Sequence, residues 1–250
     1  MIRKTLESTK KATFSINVPH PDPKFKGMPF PNGTGFFVSR NGHFMTAVHV
    51  INNFDISKIS LEKSDTIFGE APRLVNNLTL VRKWENFDIC LLQADFQKNK
   101  DQDWLKNMDG FPYLEIEFEV QEEGTPVYSF GYPLSDSPIH ITEDGSLIQL
   151  NTKYPRTTSA VISSNAWKVG FFRTPDDPVI YVIDKALNFG NSGGPIIVQE
   201  TGKVIAICHG FQTMQMPQQH MGQNQYIIIP SLYSIIPSLS NIKSDLLPLL

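Results

Sequence analysis

Apolar stretches in this chain are short, and most end in turn-forming residues, which restricts them to strand-sized elements. The run over 35–39 leads into Arg40-Asn41-Gly42, and the run over 43–47 leads back out. Asn-Gly between two apolar runs is the strongest short hairpin signal, because both residues tolerate the positive φ of a tight turn. Further strand-sized runs lie at 78–81, 89–92, 126–131, 179–183, 195–198, 203–208 and 226–229. Many short strands joined by frequent turns predict an all-β protein built as an antiparallel sandwich or barrel. The 16 Gly, 18 Pro and 17 Phe favour that reading over a helical bundle.

Only 230–236 reads as a helix, with Ser231 as its cap. Residues 1–32 are polar and then Pro-rich, which predicts an extended lead-in. A composition shift near Gln121 and Gly124 divides the rest into 33–120 and 121–240, with a tail over 241–250. The Gln- and Met-dense segment 212–225 is expected as a long solvated loop.

With 40% hydrophobic and 19% charged residues, the chain is neither disordered nor a coiled coil. Acids outnumber bases by 25 to 22 and the bases are scattered, so no nucleic-acid partner is expected. Cys90 and Cys208 sit inside apolar runs and read as buried free thiols, which fits a reducing compartment. The basic start of a signal peptide is present, but Lys10 and Lys11 interrupt the apolar stretch that should follow. No apolar run is long enough to span a bilayer, so the expectation is a cytoplasmic protein without a membrane partner.

The sharpest chemical signal is Gly190-Asn191-Ser192-Gly193-Gly194-Pro195. Three glycines around one serine bend the backbone so that the hydroxyl stands out and successive N–H groups converge. A phosphate loop is the alternative, but the Gly-Lys-Ser/Thr ending is missing. A serine needs a base, and the base needs an orienting partner. His49 follows the 35–47 hairpin, and Asp88 heads the apolar run Ile89-Cys90-Leu91-Leu92. Each has a plain alternative: a hydrogen-bonded structural histidine, a strand-capping acid, an ordinary glycine turn.

Taken in chain order, Thr46-Ala47-Val48-His49, Phe87-Asp88-Ile89-Cys90-Leu91-Leu92 and the serine turn resemble the trypsin/chymotrypsin-fold serine proteases. Within that fold the chain looks most like the HtrA/Deg proteases. Gly33-Thr34-Gly35-Phe36, Val127-Tyr128-Ser129-Phe130-Gly131-Tyr132-Pro133-Leu134, Ile183-Asp184-Lys185-Ala186-Leu187-Asn188 and Ile228-Ile229-Pro230-Ser231 fit the same pattern. The resemblance runs from about Gly33 to Ser240 and implies two six-stranded antiparallel β-barrels, with a short C-terminal helix. By resemblance His49 is the general base, Asp88 orients it, Ser192 is the nucleophile, and the N–H groups of Gly190 and Ser192 form the oxyanion hole. Polypeptides are the implied substrates, with no cofactor. His20, His43, His140 and His220 lack metal-ligand spacing, so no metal is expected.

The chain departs from the family in two ways. Asn191 stands where secreted trypsins carry the Asp that pairs with a freshly cut N-terminus, so zymogen activation is not expected. Beyond Ser240 the residues do not hold the PDZ domain usual in HtrA proteases. Ala186 occupies the position of the acid that makes trypsins cut after Lys or Arg. A small or medium uncharged residue is therefore the expected preference before the scissile bond. Leu187, Cys208, His209 and Tyr226 join Ala186 as expected pocket residues. His209 could meet an acidic side chain, but the position that does so in glutamyl endopeptidases matches Cys208, and strand neighbours face opposite ways. The alternative function is a protease-fold module that binds peptides or partners without cutting, or cuts only once an activating partner orders its oxyanion loop.

Overall fold

Phe14, Ile16 and Val18 alternate with Thr13, Ser15 and Asn17, the two-residue period of a strand. This computed structural model describes residues 2–25, 29–63, 73–133, 139–141, 147–149, 155–165, 177–187, 190–209, 213–220 and 223–250. It makes that alternating segment a strand with both faces buried. Helix α1 (Ile2–Ala12) precedes strand β1 (Thr13–Pro19), and Pro21 and Pro23 lie between β1 and β2 (Pro29–Phe37). The segment expected as an extended lead-in is therefore a helix and a central strand. The proline cluster had masked the alternation before it.

β3 (His43–Ala47) pairs with β2 as the hairpin signal predicts and runs into a single helical turn, α2 (Val48–Ile51). β4 (Ser60–Lys63), β5 (Arg73–Val75), β6 (Leu78–Trp84) and β7 (Ile89–Ala94) complete an antiparallel sheet of seven strands. Its order is β5-β4-β1-β2-β3-β7-β6. A helical turn, α3 (Phe96–Asn99), follows, and the chain then crosses to a second sheet through 100–125.

The second part comprises β8 (Pro126–Gly131), β9 (Ile139–Ile141), β10 (Leu147–Gln149), β11 (Arg156–Ser164), β12 (Ile180–Ile183), β13 (Pro195–Val198) and β14 (Val204–Ile207). Next come β15 (Thr213–His220), β16 (Gln223–Pro230), β17 (Ser234–Pro237) and the helical turn α4 (Lys243–Leu246). Six of these strands form an antiparallel sheet in the order β14-β13-β8-β11-β12-β17. A bridge between Ala206 and Ser238 brings its two edges together, so this sheet nearly closes on itself. The architecture is thus mostly β, in two antiparallel sheets with a short C-terminal helix, consistent with a chymotrypsin-like fold.

Two local expectations change. The segment 230–236 is not a helix: Ser231 Oγ accepts from Tyr233 N within a local turn, and β17 follows. Its apolar pair Ile235-Ile236 serves a strand, where Ile236 enters the core. Within the 212–225 segment the described residues are strands and not a loop, because β15 and β16 pair from Thr213–Pro230 to His220–Gln223. The side chains of that hairpin lie outside the described residues, Tyr226 and His220 among them.

Each sheet has its own core. Phe14, Phe37, Phe44 and Phe111 fill the first; Phe37 stacks on Phe111 at 4.4 Å between ring centroids and meets Phe14 and Phe44 edge-on. Ile162, Tyr181, Ile196 and Ile236 fill the second. A third cluster joins Phe36, Met45 and Leu91 of the first sheet to Tyr128, Ile197 and Val204 of the second. Leu246 is buried in that junction, and Asp245 binds Arg82 at 2.7 Å and the Trp84 ring N–H at 3.2 Å. The expected tail is therefore docked. Replacing fully buried Phe37 with Ala should cost about 3–5 kcal/mol in urea unfolding, the usual range for an emptied aromatic site.

Candidate active site

Antiparallel pairing decides which residues can meet here. β3 and β7 pair with Ala47 opposite Ile89. His49, two residues past Ala47, and Asp88, one residue before Ile89, are consequently brought together at one end of the sheet. The chain reaches Asp88 through a short 3-10 turn, Glu85–Phe87, that closes with Asp88 itself in the left-handed region at φ 52°. Asp tolerates that conformation better than most side chains.

Asp88 then grips the start of α2 twice. Val48 N–H donates to the Asp88 backbone carbonyl at 3.0 Å, and His49 N–H donates to Asp88 Oδ1 at 2.8 Å. Both are N–H groups that a helix start leaves without intrahelical acceptors. The remaining oxygen, Oδ2, lies 2.5 Å from His49 Nδ1. One carboxylate thus fixes both the backbone and the ring of His49. With Nδ1 facing the carboxylate, Nε2 is left to accept a proton.

Burial pushes the Asp88 pKa upward, but the hydrogen bonds from His49 and the charges of His49 and His209 outweigh it, leaving the group below its usual value. Cys90, two residues on, is fully buried, and desolvation pushes its thiol up to about 12, so it is no nucleophile at neutral pH.

The serine turn is held from the first sheet. Thr34 N–H donates to the Ser192 carbonyl at 2.8 Å, and Thr34 Oγ1 donates to the Gly190 carbonyl at 2.6 Å. The same hydroxyl accepts from Tyr132 N–H at 3.0 Å, and Thr46 Oγ1 donates to the Thr34 carbonyl at 2.7 Å. Gly193 adopts φ 85°, and a Cβ on it would overlap Thr46 Oγ1, the Thr34 carbonyl and Ala47 N. Only glycine lets the turn lie this close to β3, the strand that leads into His49. A Cβ on Gly33 would likewise sit 2.7 Å from Val50 and 2.9 Å from the Ser192 carbonyl. Ser192 is therefore seated beside Val50, the neighbour of His49.

The N–H groups of Gly193 and Gly194 are consumed by the carbonyls of Cys208 and Asn191 at 2.7 and 2.8 Å. By contrast, no acceptor among the described residues takes the N–H of Gly190 or Ser192. Asn191 is buried at 4% exposure against Gly131, where a neutral amide avoids the cost of a buried charge. Ser192 Oγ makes no hydrogen bond to His49 among the described residues.

The expected pocket residues do not share one surface. Leu187 and Cys208 are buried in the core of the second sheet, at 1% and 0% exposure, and so do not face a cleft. Ala186 is half-buried beside them. His209 points to Asp88, with Nδ1 3.7 Å from Oδ2. The Tyr226 side chain lies outside the described residues. Thr34 and Thr46 are the site residues that the sequence did not single out. Their only sequence signal is their place in Gly33-Thr34-Gly35-Phe36 and in Thr46-Ala47-Val48-His49. Among the described residues no group of three or more His, Cys, Asp or Glu is arranged to hold a metal, and no helix is long and apolar enough to cross a membrane.

The trypsin-like peptidase domain, as a sequence family, matches residues 33–207 of this chain. His49, Asp88 and Ser192 fall inside that span, while His209 and the β15–β16 hairpin fall beyond it. No curated protein matches the chain.

The depressed Asp88 pKa has a consequence for stability. Its ionised form stabilises the fold fully above an unfolded-state value of about 4, and that contribution is lost as pH falls through the lower folded-state value. The stability difference between wild type and Asp88→Asn in urea should be largest at neutral pH and shrink below about pH 4.

Proposed function

Because the chain belongs to the trypsin-like peptidase family, whose members are serine-protease hydrolases, we propose that it cleaves polypeptides with His49, Asp88 and Ser192 as its catalytic triad. The observation that carries this reading is the double grip of Asp88 on the His49 backbone and ring, opposite a serine turn anchored to the same strand end.

His49 Nε2 takes the proton of Ser192 Oγ as that oxygen attacks the peptide carbonyl carbon. The imidazolium that forms is stabilised by ionised Asp88. Negative charge on the carbonyl oxygen is received by the N–H groups of Gly190 and Ser192, the pair without described acceptors. His49 then protonates the leaving amine, which departs and leaves an acyl-enzyme. Water, deprotonated by His49, attacks the ester and releases the acid and Ser192. The absence of a Ser192–His49 hydrogen bond among the described residues suits a site whose catalytic hydrogen bond tightens only with substrate.

Within the family, the reading extends to an HtrA/Deg-like protease domain, supported by the sequence over 127–134 and 228–231. Ala186 supplies no charge, so the preference before the scissile bond is for a small or medium uncharged side chain. Cys90 and Cys208, both buried and outside any disulfide, fit a cytoplasmic setting. The unformed Ser192–His49 hydrogen bond favours a second reading, in which an activating partner completes the site.

Labelling of the isolated chain with fluorophosphonate-rhodamine separates these readings. Labelling of wild type that is lost in Ser192→Ala is the expected result; a well-folded wild type that does not label would favour the partner-gated form. On casein, Ser192→Ala should lower hydrolysis by about six orders of magnitude and Asp88→Asn by about four. Hydrolysis undiminished in Ser192→Ala would overturn the triad.

A further inference from the structure

His209 stands outside the family match and outside the mechanism above, yet it faces the centre of the site. Its Nδ1 lies 3.7 Å from Asp88 Oδ2, the oxygen that binds His49 Nδ1 at 2.5 Å. That separation is too long for a hydrogen bond but well within the range of strong charge interaction. Two imidazoles therefore share one carboxylate oxygen. Their surroundings differ: the His49 side chain is 47% exposed and that of His209 is 19% exposed. His209 Nε2 is buried with no hydrogen-bond partner among the described residues.

Accepting the triad reading, we propose that His209 is a positioning residue for the proton transfer, a buried second imidazole that covers Asp88 and leaves its negative charge to His49. A proton on His209 would sit beside Asp88, neutralise much of its charge and oppose a second proton on His49. The reaction places its proton on His49, so the competing imidazole has to stay neutral. Its burial favours that state, since desolvation lowers the His209 pKa more than the Asp88 charge raises it. Among the described residues, the groups acting on it from the packed elements are Asp88 and His49, together with the Phe87 backbone. A neutral ring over Asp88 also keeps water from one side of the carboxylate, which strengthens its hold on the His49 imidazolium.

The test is the pH dependence of fluorophosphonate-rhodamine labelling in the full chain. His209→Lys places a fixed positive charge on Asp88. Its labelling plateau should fall about tenfold or more, and its acid limb should move to lower pH by about one unit, because His49 loses the attraction that holds its proton. His209→Gln is neutral and should label within about threefold of wild type, with its limb unmoved. A merely structural role would lower the plateau without moving the limb. Wild-type kinetics and limb in His209→Lys, or equal losses in Lys and Gln variants, would overturn the inference.

Imidazole 15N NMR of the wild type covers the case in which the Lys variant does not fold or the isolated chain does not label. His209 should remain neutral across the range in which His49 titrates; a His209 midpoint at or above that of His49 refutes the proposal. Labelling that survives Ser192→Ala would instead count against the triad itself, so the two failures are distinct.

Discussion

One buried hydroxyl holds the parts of this site in register. Thr34 lies in β2 of the first sheet, yet its Oγ1 donates to the Gly190 carbonyl and accepts from Tyr132 N–H, both contributed by the second. Its backbone N–H and carbonyl engage Ser192 and Thr46. Every polar atom of a fully buried residue is thereby used, and the acceptors it occupies are those that set the direction of the serine turn. With the Gly190 and Ser192 carbonyls tied to Thr34, their peptide units are held from two sides. Buried polar groups tolerate few alternative arrangements, because an unmade bond costs about 1–3 kcal/mol. Thr34 therefore restricts the turn more than apolar packing would.

The proposed base is fixed by different means. His49 and Asp88 belong to the same sheet and meet because of strand register, which leaves little freedom once Ala47 lies opposite Ile89. A slip of one residue would turn every buried side chain of β3 and β7 to the wrong face. The apolar pattern of the first core thus specifies the His49–Asp88 pair at no separate cost. Ser192, the proposed nucleophile, has no such guarantee, since it comes from the other sheet. Close glycine contact at Gly33 and Gly193 supplies the missing constraint.

What could be read from the sequence follows the same division. Strands with an apolar run and a turn at each end were legible, and β3, β8 and β13 match their expected bounds. The residues at 49, 88 and 192 stood out because catalytic chemistry needs rare residue types in rare local patterns. β1 was hidden, although its alternation is regular, because the prolines that follow it dominate the composition of the first thirty residues. The 212–225 segment misled for the opposite reason: Gln-rich strands carry no apolar signal, and pairing between β15 and β16 is a backbone property. Thr34 was illegible as a site residue because threonine is common in strands, and its role depends on partners 98 and 156 residues away. His209 illustrates a finer limit. Cys208 and His209 lie just past the end of β14, where Cys208 is buried, and only the folded chain shows that His209 leads to Asp88.

A site divided between two sheets is only as well defined as the junction between them, and here both ends of the chain brace that junction. Thr9 on α1 donates its hydroxyl to the Thr5 carbonyl, so the 2.9 Å contact with Tyr128 has the tyrosine as donor, reaching from the second sheet to the helix. Thr5 also packs against Gly202, in the turn between β13 and β14. At the other end, Asp245 clamps Arg82 and Trp84 of the first sheet while Leu246 fills the shared cluster. The exposed Arg82–Asp245 pair contributes little by itself. Its importance is geometric, since it closes Leu246 over the apolar contact that joins the sheets. The segments outside the proposed triad motifs therefore act on the candidate site indirectly, by holding two independently cored sheets at the separation that Thr34 and the glycines require.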